Sequence, residues 1–525
     1  MTRRPLDVIA GRDGIVAGSK LTDTPLRKND EVTLDIIGLT QDGEGVGRAD
    51  GFALFVRGAL PGERVRAKVL KVKKQYGYAK MLSLLQASPD RVESPCPIYR
   101  QCGGCQLQHM DYQAQLAWKR QHVVDSLTRI GKLRVAEVGD VAGEGVAGVS
   151  DAGVGGRSGA AGDGGAIPEA GGDVGGVVVH PTIGMDEPWR YRNKAQVPIG
   201  LAQADLDDGA AGSLIGGFYA RGSHRIIDMD ACVIQHERND ETVRVVKRIG
   251  TRLGIRAYDE TTGRGLLRHV VVRTGFVTGE TMVCLVTNGT RIPRVDELVE
   301  GIRRALPDVR SIVQNVNTRN TNVIFGDETR VLWGSDFIFD ELDGLRFAIS
   351  ARSFYQVNPA QTVALYRKAV EYAGLTGRET VIDAYCGIGT ISLFLARRAG
   401  KVYGVESVPE AVEDARRNAA LNGIANASFE VGLAEEVIPR WREAGIAADV
   451  IVVDPPRKGC DAKLLDTIVR MRPKRVVYVS CNPATLARDL AVLEAGGFRT
   501  MEVQPVDMFP HTGHVECIVS THLTG

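Results

Sequence analysis

Two short apolar runs end in residues equipped for chemistry. Asp449–Gly459 reads DVIVVDPPRKG and Val476–Pro483 reads VVYVSCNP. Each is rich in Val and Ile, the composition of a buried parallel strand, and each stops abruptly in turn-forming polar residues. In open α/β sheets, chemistry sits just outside the carboxyl ends of strands. Asp454-Pro455-Pro456-Arg457 and Ser480-Cys481-Asn482-Pro483 are therefore expected side by side at one cleft. The first offers a carboxylate on a stiff turn, the second a thiol. A thiolate that adds to C6 of a pyrimidine makes C5 nucleophilic enough to take an alkyl group. A base must then remove the C5 proton so that the thiol can leave. Cys481 is the candidate nucleophile. The final hairpin, Pro510-His511-Thr512-Gly513-His514-Val515-Glu516, offers Glu516 as the base and His514 as the second choice. Cys386, Cys460 and Cys517 read as packing residues.

The elements that must position these groups form the C-terminal third, where helix and strand alternate from Phe354 onwards. Asn358–Ala373 reads as a helix. Thr380–Asp383 reads as a strand, followed by Ala384-Tyr385-Cys386-Gly387-Ile388-Gly389-Thr390 and a helix over Ile391–Arg398. Lys401–Val405 is the next strand and ends in Glu406. Further strands fall at 427–431, 449–454 and 476–480, with a closing hairpin. Such alternation predicts a doubly wound parallel sheet. A dinucleotide fingerprint would need a third glycine where Ser392 stands. An acid before a short G-x-G loop, Asp383, and an acid ending the second strand, Glu406, instead suit S-adenosylmethionine. Its ammonium and sulfonium charges favour carboxylates, and its ribose diol favours Glu406.

Upstream, residues 1–27 lack periodicity and read as a disordered tail. From Asp30, short alternating segments separated by Gly-rich turns predict a small antiparallel barrel ending near Pro89. Arg64, Arg66, Lys68, Lys71, Lys73, Lys74 and Lys80, interleaved with Tyr76 and Tyr78, give it a basic aromatic face suited to RNA or single-stranded nucleic acid, the alternative being a solvated strand edge protected by lysines. Cys96, Cys102 and Cys105 follow in C-x5-C-x2-C spacing around Gly103-Gly104. Cys232 is the candidate fourth thiolate, and both zinc and an iron–sulfur cluster accept such a set. Asp111–Leu133 reads as a helix with Lys119, Arg120 and Arg129 exposed. Gly139–His180 contains fifteen glycines and reads as a flexible insertion or linker. Beyond it, Trp189-Arg190-Tyr191-Arg192-Asn193-Lys194 and the turn bearing Arg221, His224 and Arg225 could grip phosphates and stack bases. An α+β domain continues to about residue 348.

The chain has 525 residues, too many for one core, and about three or four domains are expected. Charge is balanced, 65 Lys+Arg against 64 Asp+Glu, so only local clustering can speak for nucleic acid. The first residues lack the apolar core of a signal peptide, and no run approaches the roughly 20 apolar residues of a membrane span. Nine unevenly spaced cysteines do not form a disulfide framework. A cytoplasmic protein without membrane contact is expected.

VIDAYCGIGT, DPPRKG, SCNPATLARDL and MFPHTGHVE, with SFYQVN and CPIYRQCGGCQLQH upstream, resemble the RNA uridine-5-methyltransferase family, most closely the branch acting on 23S ribosomal RNA. The resemblance covers nearly the whole chain outside residues 1–27 and the Gly-rich stretch. It implies an α/β fold, a Rossmann-like class I methyltransferase domain over 349–525. Before that it implies a TRAM/OB-like β-barrel that binds RNA over 28–88, and a central α+β domain over 89–348. It implies a 4Fe-4S iron–sulfur cluster on Cys96, Cys102, Cys105 and Cys232. It also implies S-adenosylmethionine contacts from Gln356, Tyr385, Glu406 and Asp454, with Cys481 as nucleophile and Glu516 as base. Thr390 stands where the family often has Asn, and the Gly-rich insertion departs from its usual pattern. The expected partner is RNA, ribosomal first and transfer RNA second, and the expected state is a monomer. The competing readings are cytosine-5 methylation, a transfer-RNA uridine methyltransferase, and a non-catalytic RNA-binding iron–sulfur protein.

Overall fold

The structure, a computed structural model, describes residues 26–136, 175–202 and 212–525. The expected tail lies outside these residues except for Leu26 and Arg27, and so do residues 139–174 of the Gly-rich stretch. Contacts divide the chain into two units, one ending at Arg91 and one beginning at Val92.

The first unit is a closed barrel. Its strands are β1 (Glu31–Leu39), β2 (Glu44–Ala49), β3 (Phe52–Arg57), β4 (Arg64–Val72) and β5 (Tyr76–Gln86), in the order β1-β2-β3-β5-β4. Alternation puts Leu34, Ile36, Leu54, Val56, Val65, Ala67 and Val69 inside. Leu26, counted with the expected tail, joins them. Gly77 is required by packing, since a Cβ there would lie 2.8 Å from Leu54. Outside, Phe55, Tyr76 and Tyr78 form a ring cluster with centroids 5.2 to 5.7 Å apart. Exposed Lys71 and Lys80 lie on β4 and β5, and Lys73 and Lys74 on the turn joining them. Buried Glu63, just before β4, accepts from Arg91 Nε at 2.5 Å and Leu60 N–H at 2.8 Å.

The second unit holds two main sheets. After helix α1 (Tyr112–Arg129) and the short strand β6 (Val178–Val179) come β7 (Lys194–Leu201), β8 (Leu214–Gly216), α2 (Glu237–Arg252), β9 (Leu267–Thr274), β10 (Thr281–Thr287), α3 (Val295–Ala305), β11 (Val309–Val316) and β12 (Glu328–Gly334). These strands form a six-stranded sheet in the order β12-β11-β10-β9-β7-β8. The apolar stripes of α2 and α3 pack on it through Val246, Ile249, Leu298 and Ile302. A hairpin of β13 (Phe337–Leu342) and β14 (Leu345–Ser350) follows.

The alternating third contains α4 (Pro359–Ala373), β15 (Thr380–Ala384), α5 (Thr390–Ala396), β16 (Lys401–Glu406), α6 (Pro409–Leu421), β17 (Ala427–Val431), α7 (Ala434–Glu443), β18 (Val450–Val453), α8 (Ala462–Met471), β19 (Arg475–Ser480), α9 (Pro483–Ala495), β20 (Phe498–Val506) and β21 (Glu516–Leu523). They build an eight-stranded sheet, β17-β16-β15-β18-β19-β21-β20-β6. The expected parallel, doubly wound core is present, but β21 is antiparallel and wedged between β19 and β20.

Four expectations change. Val178 and Val179 are not linker; they pair in parallel with Glu502 and Val503 at the sheet edge. The segment expected in the central domain also contributes α1 to the methyltransferase-type sheet, where Val123 and Leu127 share a core with Leu486, Leu490 and Val503. The expected boundary at 348/349 falls inside β14, whose Ala348 N–H donates to Asn418 Oδ1 of α6 at 2.9 Å. Lys119, expected on the exposed face of α1, is fully buried and donates to Asp507 Oδ1 at 2.5 Å and to the Phe509 carbonyl at 3.2 Å. Among the described residues no helix is long and apolar enough to cross a membrane.

Removing one member of a buried ion pair strands the other charge. Lys119→Ala is expected to cost about 3–5 kcal/mol, read as a lowered urea midpoint. Lys119→Met combined with Asp507→Leu should recover most of that loss.

Candidate active site

Parallel pairing of Val453 with Tyr478 brings the ends of β18 and β19 together. Asp454 and Cys481 therefore leave the sheet side by side. On the other flank of β19, Ser480 faces Cys517 as an antiparallel pair. The next residue on each strand is Cys481 and Glu516, so the thiol and the second carboxyl meet at one sheet edge. Glu516 is itself paired to Val506 of β20 and is buried. The three groups that the sequence singles out for chemistry are thus brought together by strand register alone.

Their electrostatics follow from crowding in a site that excludes water. Burial pushes the Asp454 carboxyl up to about 7, although part of the residue still reaches the cleft. Burial, with Asp454 adding repulsion, raises Glu516 well above the ordinary carboxyl range, and Arg457 opposes it. The Cys481 thiol is pushed up to about 11 by burial, then by Glu516 and Asp454. A thiolate or carboxylate formed there is correspondingly basic and reactive.

Beside them lies the glycine loop. Tyr385 adopts φ +68°, Gly387 φ +54° and Gly389 φ +82°. Asp383 is fully buried, bonded to the Ser392 hydroxyl through one oxygen, and its Oδ1 has no partner. Burial, then Asp454 and Glu406, push it up to about 7. A buried acceptor without a donor fits an incoming ammonium group. Glu406, at the end of β16, accepts from Gly387 N–H at 3.2 Å and from Val408 N–H at 3.0 Å. Tyr385 is half-buried, with its hydroxyl toward the Cys460–Asp461 turn. Gln356 is buried just before α4, and its carbonyl accepts from Asn193 Nδ2 at 2.9 Å.

Two supporting sets escape a motif-based reading. The first clamps the DPPRKG turn onto α9. Asn482 Nδ2 and Thr485 Oγ1 donate to the Arg457 carbonyl, and Arg488 donates to the Lys458 carbonyl. Buried Asp489 accepts from Cys460 N–H at 2.8 Å and from the Tyr478 hydroxyl at 2.6 Å. A Cβ at Gly459 would lie 2.5 Å from Asp489, so only glycine permits this approach. Polar residues at 482, 485 and 489 share one helical face, and that spacing is the signal available in the sequence. The second is Tyr366 of α4, fully buried, whose hydroxyl pairs with Thr390 Oγ1 at 3.1 Å while sensing Asp454, Asp383 and Glu516.

The four expected metal-ligating cysteines, Cys96, Cys102, Cys105 and Cys232, line one cavity of about 230 Å³ with Arg192, Lys194, Gln108 and Thr512. Among the described residues no group of three or more His, Cys, Asp or Glu is arranged to hold a metal ion. The aromatic-cationic stretch expected to grip RNA is largely occupied within the protein. Trp189 stacks on His511 at 3.7 Å, the Tyr191 hydroxyl donates to the Pro510 carbonyl, and Arg190 pairs with Asp240 at 2.7 Å. Arg221 donates to the Cys105 carbonyl. Cys386, Cys460 and Cys517 are buried, as packing residues should be. His511 is neutral, since burial and Lys119 pull its imidazole down to about 3.

A thiol raised to about 11 carries a thiolate fraction that grows tenfold per pH unit across the whole neutral range. Iodoacetamide labelling of Cys481 in the free protein, followed by peptide mass spectrometry, should therefore rise about tenfold from pH 7.5 to 8.5. It should still be climbing above pH 9, where an ordinary thiol levels off.

The sequence matches the tRNA (Uracil-5-)-methyltransferase family over residues 314–522 and the TRAM domain over residues 25–82. An uncharacterized RNA methyltransferase of Halalkalibacterium halodurans is 57% identical over 499 residues, covering 95% of this chain and 98% of that protein. One from Listeria monocytogenes is 50% identical, covering 95% and 99%. Among solved structures, the Pyrococcus abyssi tRNA (uracil-54, C5)-methyltransferase in complex with S-adenosyl-L-homocysteine aligns with a TM-score of 0.66 and 28% identity, covering 93% of this chain and all of that one. The chain therefore belongs to the RNA uracil-5-methyltransferase family, enzymes that take their methyl group from S-adenosylmethionine, and its barrel is a TRAM domain.

Proposed function

We propose that this enzyme methylates C5 of a uridine in 23S ribosomal RNA, with Cys481 as nucleophile and Glu516 as general base. The observation that carries the residue roles is the register of β19 and β21, which makes Cys481 and Glu516 neighbours at the strand ends beside Asp454. The Cys481 thiolate adds to C6 and breaks the C5–C6 double bond. The electron pair released to C5 displaces the methyl group from the sulfonium, leaving S-adenosylhomocysteine. Glu516 then takes the C5 proton, the double bond re-forms and the C6–sulfur bond breaks. Gln356, Tyr385, Glu406 and Asp454 hold the methyl donor, and Asp383 supplies the unpartnered acceptor next to them. A cation entering beside Asp383 and Asp454 opposes the effect of their burial and pulls both back toward the ionised form.

Cys96, Cys102, Cys105 and Cys232 would hold the 4Fe-4S cluster. Their thiols surround a cavity, whereas a tetrahedral zinc requires all four sulfurs within about 2.3 Å of one point. A 4Fe-4S cluster takes four such thiolates, and the cavity they line would receive it. The barrel and cysteine set together favour ribosomal RNA, in the cytoplasm, through their resemblance to that branch. Transfer RNA is the second reading, favoured by the full-length likeness to the Pyrococcus abyssi enzyme.

Cys481→Ala should lower methyl transfer by at least about 10⁴-fold and abolish covalent capture of 5-fluorouridine RNA. Glu516→Gln should accumulate a covalent protein–RNA adduct on ordinary uridine; retained activity without adduct moves the base elsewhere. Labelled methyl transfer onto unmodified 23S ribosomal RNA and transfer RNA, with mapping of the product, decides between the two substrates. Anaerobically purified protein should be brown and contain iron and sulfide, and a colourless zinc protein overturns the cluster assignment.

A further inference from the structure

Glu516 is delivered to the site by the connection Asp507–Val515, which joins β20 to β21. Hairpin loops usually span two to five residues, and a longer one needs anchors. Bonds within this loop are few: Met508 N–H to Val506, Thr512 N–H and hydroxyl to the Phe509 carbonyl, and His514 N–H to Thr512. Its anchors come from separate parts of the chain, among them Ile183, whose carbonyl accepts from Asp507 N–H at 2.9 Å. Lys119 of α1 holds Asp507 and the Phe509 carbonyl. Asn358, which caps α4, donates to the Met508 carbonyl at 3.2 Å. Tyr191 donates to the Pro510 carbonyl at 3.1 Å. The residues following Cys105 take the next carbonyl: Gln106 and Leu107 N–H both donate to His511, at 3.0 and 2.9 Å.

His511 is where these restraints converge. It is buried, with φ +66°, a left-handed conformation uncommon outside glycine and asparagine. That conformation aims its carbonyl at Gln106 and Leu107 and its N–H at Gln115 Oε1, 3.1 Å away. Gln115, also fully buried, ties the same cysteine segment by donating to the Leu107 and Met110 carbonyls. The imidazole stacks between this framework and Trp189.

We propose that His511 is a positioning residue for the general base: its left-handed backbone, locked by Gln115 and by the segment after Cys105, holds the loop that sets Glu516 against Cys481. This rests on the assignment of Glu516 as base. Attack at C6 uses Cys481 and methyl transfer uses a donor held by Gln356, Tyr385, Glu406 and Asp454, whereas the backbone bonds of His511 run to Gln106, Leu107 and Gln115. Loosening His511 slows only removal of the C5 proton, so the methylated protein–RNA adduct persists.

The test uses full-length enzyme and the RNA transcript that accepts methyl from the unaltered protein. In His511→Val a β-branched residue opposes φ +66°. Turnover should fall about 100-fold with RNA KM within about threefold, and an SDS-resistant adduct should appear on ordinary uridine. His511→Asn, which tolerates the left-handed backbone and keeps all three backbone bonds, should restore most of the turnover and remove the adduct. Gln115→Leu gives the same readout if His511→Val does not fold. Unchanged turnover, lost turnover without adduct, or no recovery in His511→Asn overturns the proposal. Glu516→Gln run in parallel separates the two ideas. Adduct in Glu516→Gln but not in His511→Val removes the positioning role alone, whereas none in either removes the base assignment and this role with it.

Discussion

The constraint on which the rest depends is the confinement of acidic groups and a thiol in one water-poor cleft. Asp383, Asp454, Glu516 and Cys481 are all pushed toward their protonated forms by burial, and all but Asp454 by neighbouring acidic groups as well. Isolated charges of this kind are costly inside a protein. A fold tolerates them only where the surrounding sheet is stable enough to hold them and where a cationic ligand can relieve them. The site is thus built against its own stability, a common trade at catalytic centres. The parallel strands supply the rigidity, because Val381, Val450, Val452, Val477 and Val479 pack into one core beneath the strand ends.

Holding such groups in register takes more than the strands that carry them. Asp454 stands on a turn that α9 grips by its carbonyls and by Asp489. Glu516 depends on a connection whose anchors lie hundreds of residues earlier in the chain, in α1 and the cysteine segment. The antiparallel β21, inserted between β19 and β20, makes that dependence unavoidable. It brings the base to the nucleophile from the opposite direction, so its approach must be fixed by parts outside the alternating sheet.

Much of this was legible in the residues. Val-rich runs ending in DPPR and SCNP placed Asp454 and Cys481 correctly, because buried parallel strands have a recognisable composition and chemistry clusters at their ends. What the residues could not disclose was partnership across long separations. Lys119 looked like a solvated helix position, since nothing nearby marks Asp507 as its counterion. Trp189 and Tyr191 looked like base-stacking groups, but their partners His511 and Pro510 lie more than three hundred residues on. Val178 and Val179 were hidden by the glycines before them, and a two-residue strand has no periodicity to detect.

Those two valines have another consequence. Val177 N–H donates to the Arg134 carbonyl at 2.7 Å, and Ala136 N–H donates to the Val177 carbonyl at 2.9 Å. The described segments on either side, 134–136 and 175–177, therefore meet at one seam. A Cβ at Gly176 would lie 2.8 Å from Ala136 N, so the seam itself is glycine-tight. The entropy of closing a loop grows slowly, about 0.6 kcal/mol for each doubling of its length. A change in the number of residues between Ala136 and Gly175 is therefore expected to cost little and to leave β6 paired with β20.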